Sequence, residues 1–242
     1  MAALEKVRIL VVGDSGVGKT SLVNLLCHNE SISSPAWTIG CTVEVKLYDY
    51  KDKSPGTKTF FLEFWDVGGS ANHKNSRSIF YNSVNGLILV HDLTNRKSTL
   101  NLRKWLAEVL NAGKENCFTN GNDGLFDFGF KDLSDDFDPE QFAGNQIPIL
   151  IVGTKLDQGG TARASQCVRG LAEEVGADIV NLDCRDARQM KEGSVNNRKF
   201  KAFFDKIVER RFYARDNPPG QFHPSYQETP RYYDRSSKRK LV

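Results

Sequence analysis

Residues 13–20 read GDSGVGKT, with glycines at 13, 16 and 18 followed directly by a lysine and a threonine. Residues of these types at this spacing make an anion cradle. Gly13, Gly16 and Gly18 let the backbone curl around phosphates, so that the N–H groups of Asp14, Ser15, Gly16, Val17, Gly18, Lys19, Thr20 and Ser21 face one point at the start of a helix. Lys19 can reach the terminal phosphates of a nucleotide there, and the Thr20 hydroxyl can ligate magnesium. A second group, TKLD at residues 154–157, follows another apolar run. The Asp157 carboxylate can accept two hydrogen bonds from the N1–H and exocyclic amine of guanine, a pattern adenine does not offer, and Lys155 can lay its methylene stem along the base plane. Taken alone, TKLD is equally readable as a surface turn. Joined to the phosphate loop, it points to a guanine nucleotide.

Chemistry of this kind needs strands that end where the loops begin. The loop GDSGVGKT follows the apolar run VRILVV and precedes the helical pattern SLVNLLC. Strand-length runs recur at TVEVKLYDY, TFFLEFWDV, GLILVHDL, IPILIVGT and ADIVNLDC, mostly separated by helical patterns, and this alternation predicts a mostly parallel sheet. Only KDKSPGT joins the second and third runs, too short for a helical crossover, so these two form an antiparallel hairpin at an edge. Near the end, Phe200, Phe203, Phe204, Ile207 and Val208 share one face at helical spacing, which predicts the last helix of the core.

Composition narrows the class further. Of 242 residues, 39% are hydrophobic and 26% charged, ordinary values for a chain that buries a core, and a net charge of +3 is too small to make the whole chain a nucleic-acid binder. The five cysteines form no CxxC pair and have no regular spacing, which argues against a disulfide framework or zinc knuckle and for a reducing, cytoplasmic setting. The amino terminus lacks the apolar core of a signal peptide, and no run spans a bilayer. Ala2 excludes myristoylation and the absence of cysteine after Cys184 excludes prenylation, so no stable membrane anchor is expected. Two stretches break the strand–helix alternation. An acidic insertion at about 113–146, with Phe126, Phe128 and Phe130 alternating within it, reads as a solvated loop or as a partner-binding segment. From 214 to 242 a basic tail containing aromatic residues reads as flexible.

The phosphate loop, TKLD and the segment WDVGG together resemble the Ras-superfamily small GTPases, in particular the Rab-like branch, across residues 5 to about 213. The resemblance implies a P-loop NTPase α/β fold with a six-stranded, mostly parallel sheet, one antiparallel edge strand and helices on both faces. It also implies GTP or GDP with Mg2+. Thr38 of WTIG, 19 positions after Lys19, resembles the threonine that closes on magnesium and the terminal phosphate; its other reading is a strand cap. Asp66 resembles the aspartate that holds the magnesium shell through water. Gly69 resembles the glycine whose N–H senses the terminal phosphate. Asp183, Cys184 and Arg185 stand where the family has Ser-Ala-Lys, with the Cys184 N–H placed to contact the guanine oxygen; a merely packed thiol is the plainer reading. The departures carry information as well. Ser70 stands where the family has glutamine, Ser31 replaces the aromatic ring that covers the base, and His73 reads as a solvated side chain rather than a substitute base.

These residues give the expectation of a guanine-nucleotide-binding switch, a weak GTPase at most. Lys19, Thr38, Gly69 and Ser70 would carry what hydrolysis there is. GTP-dependent effectors and the regulators or chaperones of small GTPases would be its partners. The alternative is a constitutive scaffold or dimeric adaptor in which nucleotide mainly supports folding; the resemblance adds homodimerisation to the readings.

Overall fold

The computed structural model describes residues 5–51, 57–115, 147–159 and 162–213. The acidic insertion beyond Glu115, the hairpin turn and the tail 214–242 lie outside the described residues. Six strands form one sheet: β1 (Glu5–Val12), β2 (Cys41–Lys51), β3 (Thr57–Val67), β4 (Gly86–Asp92), β5 (Ile149–Thr154) and β6 (Asp178–Asn181), in the order β2-β3-β1-β4-β5-β6. All neighbours are parallel except β2 and β3, which run antiparallel from Cys41 opposite Val67 to Lys51 opposite Thr57. The sheet and its single antiparallel edge are as expected.

Because parallel strands are covered on both faces, their side chains are apolar in both directions. All seven residues of β4 are buried. On one face Val7, Ile9, Val11, Ile88, Val90 and Val152 pack with α1 (Lys19–His28) and α6 (Val195–Val208). Across the sheet, Leu10, Val12, Leu87, Leu89 and Ile151 meet α4 (Leu102–Glu115) and α5 (Ala162–Val175). The short helices α2 (Lys74–Arg77) and α3 (Arg96–Leu100) complete the described set. Among the described residues no helix is long and apolar enough to cross a membrane.

The last helix follows its sequence pattern. Phe200, Phe203, Phe204, Ile207 and Val208 are buried, and the Ser194 hydroxyl caps the first turn by accepting from the Asn197 N–H at 3.1 Å. From β2, Tyr48 donates to Asp205 at 2.5 Å and Tyr50 to Glu209 at 3.0 Å, which fastens the edge strand to α6 and the turn after it. Among the described residues no helix covers the opposite face of the hairpin. Val43, Val45 and Leu47 are exposed there, with Val43 opposite Trp65 and Leu47 opposite Phe61, and the Arg8 guanidinium lies 3.9 Å from the Trp65 ring. Among the described residues the fold therefore leaves an apolar strip exposed at the β2 edge.

Phe203 sits at the centre of the contact between α6 and the sheet, 1% exposed. Phe203→Ala is expected to lower the unfolding free energy by ~3–5 kcal/mol through lost burial and the cavity left behind. Urea unfolding checks this, and a loss under about 1 kcal/mol would contradict the packing described.

Candidate nucleotide site

The loops that follow β1, β3, β5 and β6 lie at the carboxyl ends of parallel strands, where open α/β sheets leave a crevice. The first loop takes the course its glycines allow. Gly16 and Gly18 have φ of 76° and 94°, in the left-handed region that side chains disfavour, and a Cβ on Gly13 would collide with the Val90 carbonyl. Gly18 precedes α1 without a side-chain cap, so the first N–H groups of the helix remain available to an anion. Lys19 is buried, and its ammonium donates to the Gly13 and Asp14 carbonyls, both at 2.9 Å. Burial lowers its pKa to about 8, against the opposing pull of Asp66 and Asp14. Asp14 and Val17 contribute to the cradle through backbone alone: the Asp14 carboxylate is taken up by Asn101 and Trp105, each at 2.8 Å, and Val17 belongs to the core.

At the end of β3 three side chains gather. The Thr20 hydroxyl donates to Asp66 Oδ2 at 2.5 Å, the Thr38 hydroxyl approaches the same oxygen at 3.2 Å, and the two hydroxyls are 3.0 Å apart. Asp66 is 2% exposed, and burial raises its pKa while Thr20, Lys19 and Thr38 oppose the shift. Its Oδ1 is buried without a hydrogen-bond partner among the described residues. Two hydroxyls and a buried carboxylate oxygen left unpaired form an all-oxygen donor set that suits a hard cation such as magnesium. Next in the chain, Gly68 donates its N–H to Gly40 O at 2.8 Å, and Gly69 packs so closely on the loop that a Cβ there would lie 2.6 Å from Ser15 N. Only glycine permits that approach.

The other end of the site is built from β5 and β6. Thr154 is 1% exposed; its hydroxyl lies within hydrogen-bond reach of the Val17 carbonyl and 3.1 Å from that of His91, tying β5 to the phosphate loop. Lys155 adopts φ of 57° and its ammonium meets Asp92 at 2.7 Å, which fixes the direction of its stem. Burial raises the Asp92 pKa, yet the bonds from Lys155 and Thr94 outweigh it and the carboxyl ends below its ordinary range. Asp157 is exposed and lines the cavity. Asp183 accepts from the Arg185 N–H at 2.8 Å, which shapes the loop beneath it. Cys184 is buried, and burial first, then the nearby Asp183 and Asp157, pushes its thiol to about 12, so it is a packed thiol rather than a reactive one.

A cavity of about 590 Å³ joins the two ends. Ser15, Gly16, Gly18, Lys19, Thr20, Ser21, Thr38, Gly69, Ser70, Thr154, Lys155, Asp157, Asp183, Cys184 and Arg185 all line it. Sequence reasoning missed Ile32, Ser33, Pro35, Ala36, Trp37 and Gln158, which complete the wall; the signal for most of them was their position just ahead of Thr38. Ser31, at the expected place of a base-covering ring, is exposed and not part of that wall, and His73 is likewise exposed and outside it.

The family described as "Ras of Complex, Roc, domain of DAPkinase" matches residues 8–122. The chain is similar to Rab-like protein 3 of Mus musculus, 46% identical over 242 residues that cover 96% of this chain and 95% of the relative. Rab-like protein 3 of Homo sapiens is 46% identical over 239 residues, with the same two coverages. Small GTPase-like protein LIP2 of Arabidopsis thaliana is 38% identical over 172 residues, covering 66% of this chain and 46% of that protein.

The lowered pKa of Lys19 gives a pH signature. Phosphate beside the ammonium favours its charged form, so above pH 8 binding must take up a proton that the free protein has lost. Affinity for GDP is therefore expected to fall about tenfold from pH 7 to pH 9, measured by fluorescence titration. An affinity flat across that range would show that Lys19 is already neutral, or fully charged, in the free protein.

Proposed function

We propose that this chain, which belongs to the Rab-like small GTPase family, is a guanine-nucleotide-binding switch that hydrolyses GTP slowly, exchanges nucleotide readily and engages protein partners. One observation carries the reading: the phosphate loop at Lys19 and the carboxylate of Asp157, the group suited to guanine, line the same cavity. Phosphates would lie against the N–H groups of the loop, with the Lys19 ammonium on the terminal ones. Thr20, Thr38 and Asp66 would hold magnesium, which when bound neutralises charge on the β- and γ-phosphate oxygens. Gly69, pressed on the loop, offers its N–H to the terminal phosphate, and Thr38 closes the site from the segment before β2.

Weak catalysis follows from Ser70. It lines the cavity at the position of the family's glutamine, but its side chain is too short to orient an attacking water, and losing such a group slows the reaction by ~10²–10⁴-fold. Ready exchange follows from Ser31, whose side chain offers no ring to stack on guanine. The state of the protein would then track the cellular supply of GTP and GDP, and partners that trap one form would set its output. Trp37 and Ile39 flank Thr38 and are 89% and 81% exposed, which supports a partner surface that moves with Thr38. Effectors, small-GTPase regulators and chaperones are the partner classes. We place the protein in the cytoplasm and give it no nucleic-acid role.

A second reading has its own support. The exposed Val43, Val45 and Leu47 with their neighbours Phe61 and Trp65 form an apolar face outside the lining of the nucleotide cavity, as a scaffold or homodimer would need. Equal capture of partners with GDP, a non-hydrolysable GTP analogue and no nucleotide would favour it over the switch.

The nucleotide released from freshly purified protein is expected to be GDP or GTP, with ATP bound at least about 100-fold more weakly because the Asp157 carboxylate would be left unpaired; comparable affinities would overturn the site assignment. Single-turnover hydrolysis should be very slow in the native chain and faster in Ser70→Gln. Rapid native hydrolysis would refute the role given to Ser70.

A further inference from the structure

Arg77 is the one buried arginine among the described residues, its side chain 5% exposed. Its Nε and Nη2 donate to the two carboxylate oxygens of Glu108 on α4, both at 3.0 Å, and its Nη1 donates to the Ser70 carbonyl at 2.9 Å. The guanidinium lies 4.3 Å from the Trp105 ring. Tyr81 donates to Glu108 at 2.7 Å, and the Trp105 indole donates to the Asp14 carboxylate at 2.8 Å. An unbroken series of contacts thus runs from Ser70, through Arg77 and α4, to Asp14 in the phosphate loop. By contrast, residues 71–76 are all exposed.

We propose that Arg77 is a positioning residue that holds the segment after Gly69 against α4 and the phosphate loop whichever nucleotide is bound, so this half of the nucleotide-responsive surface is clamped. The inference rests on the cavity being a guanine-nucleotide site. Two holds on the segment compete in strength. Gly69 can give the terminal phosphate one N–H bond, which disappears with that phosphate. Arg77 gives three hydrogen bonds and a stacked face, and releasing it would strand a guanidinium or the Glu108 carboxylate in a buried, uncompensated position. The second hold is the larger, and it makes no use of the terminal phosphate. Loss of that phosphate therefore frees Thr38 and its neighbours while residues 70–81 stay in place.

Amide hydrogen exchange over residues 70–81, with GDP and with a non-hydrolysable GTP analogue, tests the clamp. In the native chain the two states are expected to exchange within about twofold of each other. Arg77→Lys, which keeps the charge but loses the fork, and Glu108→Gln, which keeps the shape, should each exchange about tenfold faster or more in the GDP form, and less so with the analogue. Arg103→Gln, which breaks the other bidentate bridge of α4, to Glu174 at 2.6 Å, should leave residues 70–81 unchanged. The clamp is overturned if the native segment exchanges tenfold or more faster with GDP, if both variants match the native chain, or if they accelerate exchange across the whole chain. Nucleotide content measured on the same samples decides the site separately. Without guanine nucleotide the site reading fails, and the comparison of variants with the native chain still decides the clamp.

Discussion

A carboxylate removed from water must be met by hydrogen bonds or positive charge, and Asp66 makes that demand at the end of β3. Two chain segments answer it. Parallel pairing places Val11 opposite Asp66, so the loop after β1 begins beside the carboxylate and turns Lys19 and Thr20 toward it. The segment before β2 delivers Thr38 to the same oxygen. None of this is possible unless backbones approach closely, which is why Gly13, Gly68 and Gly69 stand where a Cβ would strike a carbonyl or an amide. The remaining oxygen, buried without a partner among the described residues, is what fits the cluster to the proposed cation rather than to a satisfied core interaction.

The base end is organised differently. Its residues are held by neutral and paired groups that owe nothing to Asp66: Thr154 to the carbonyls of the phosphate loop and β4, Lys155 to Asp92, Asp183 to its own turn. One end is thus charged and dependent on what it binds, while the other is set by the protein alone. The division suits a site in which the base stays fixed and the phosphate end changes with the reaction.

Much of this was legible in the sequence, for reasons that differ by residue. The phosphate loop was legible because glycines, lysine and threonine act through local backbone, where spacing is geometry. The hairpin was legible because seven residues cannot carry a crossover, and α6 because its phenylalanines keep a helical period. Thr154 was readable only as a variant of a motif; its latch to Val17 joins residues 137 apart, a relation no local pattern encodes. The carboxylate of Asp14 sits inside the phosphate loop yet faces Asn101 and Trp105, and sequence cannot show which way a loop side chain turns. Nothing local in the sequence marks Arg77 as buried; its burial comes from Glu108 on a different element.

The uncovered face of the hairpin has a further consequence because β2 is also the last strand of the sheet. Among the described residues nothing pairs with the outer side of this 11-residue strand, and alternating valine and leucine beside such an edge are the pattern to which the edges of other chains add on. Intervening charges temper that tendency. Glu44 is engaged by His28 at 3.2 Å, Lys46 by the Leu26 carbonyl at 2.7 Å, and Asp49 by Thr59 at 2.7 Å, so these charges are anchored to the body of the protein and keep the strand from lying flat against a stranger. The restraint is shared with α1: His28 and the Leu26 carbonyl both belong to that helix, so two of the three anchored charges on the edge strand depend on α1 staying docked.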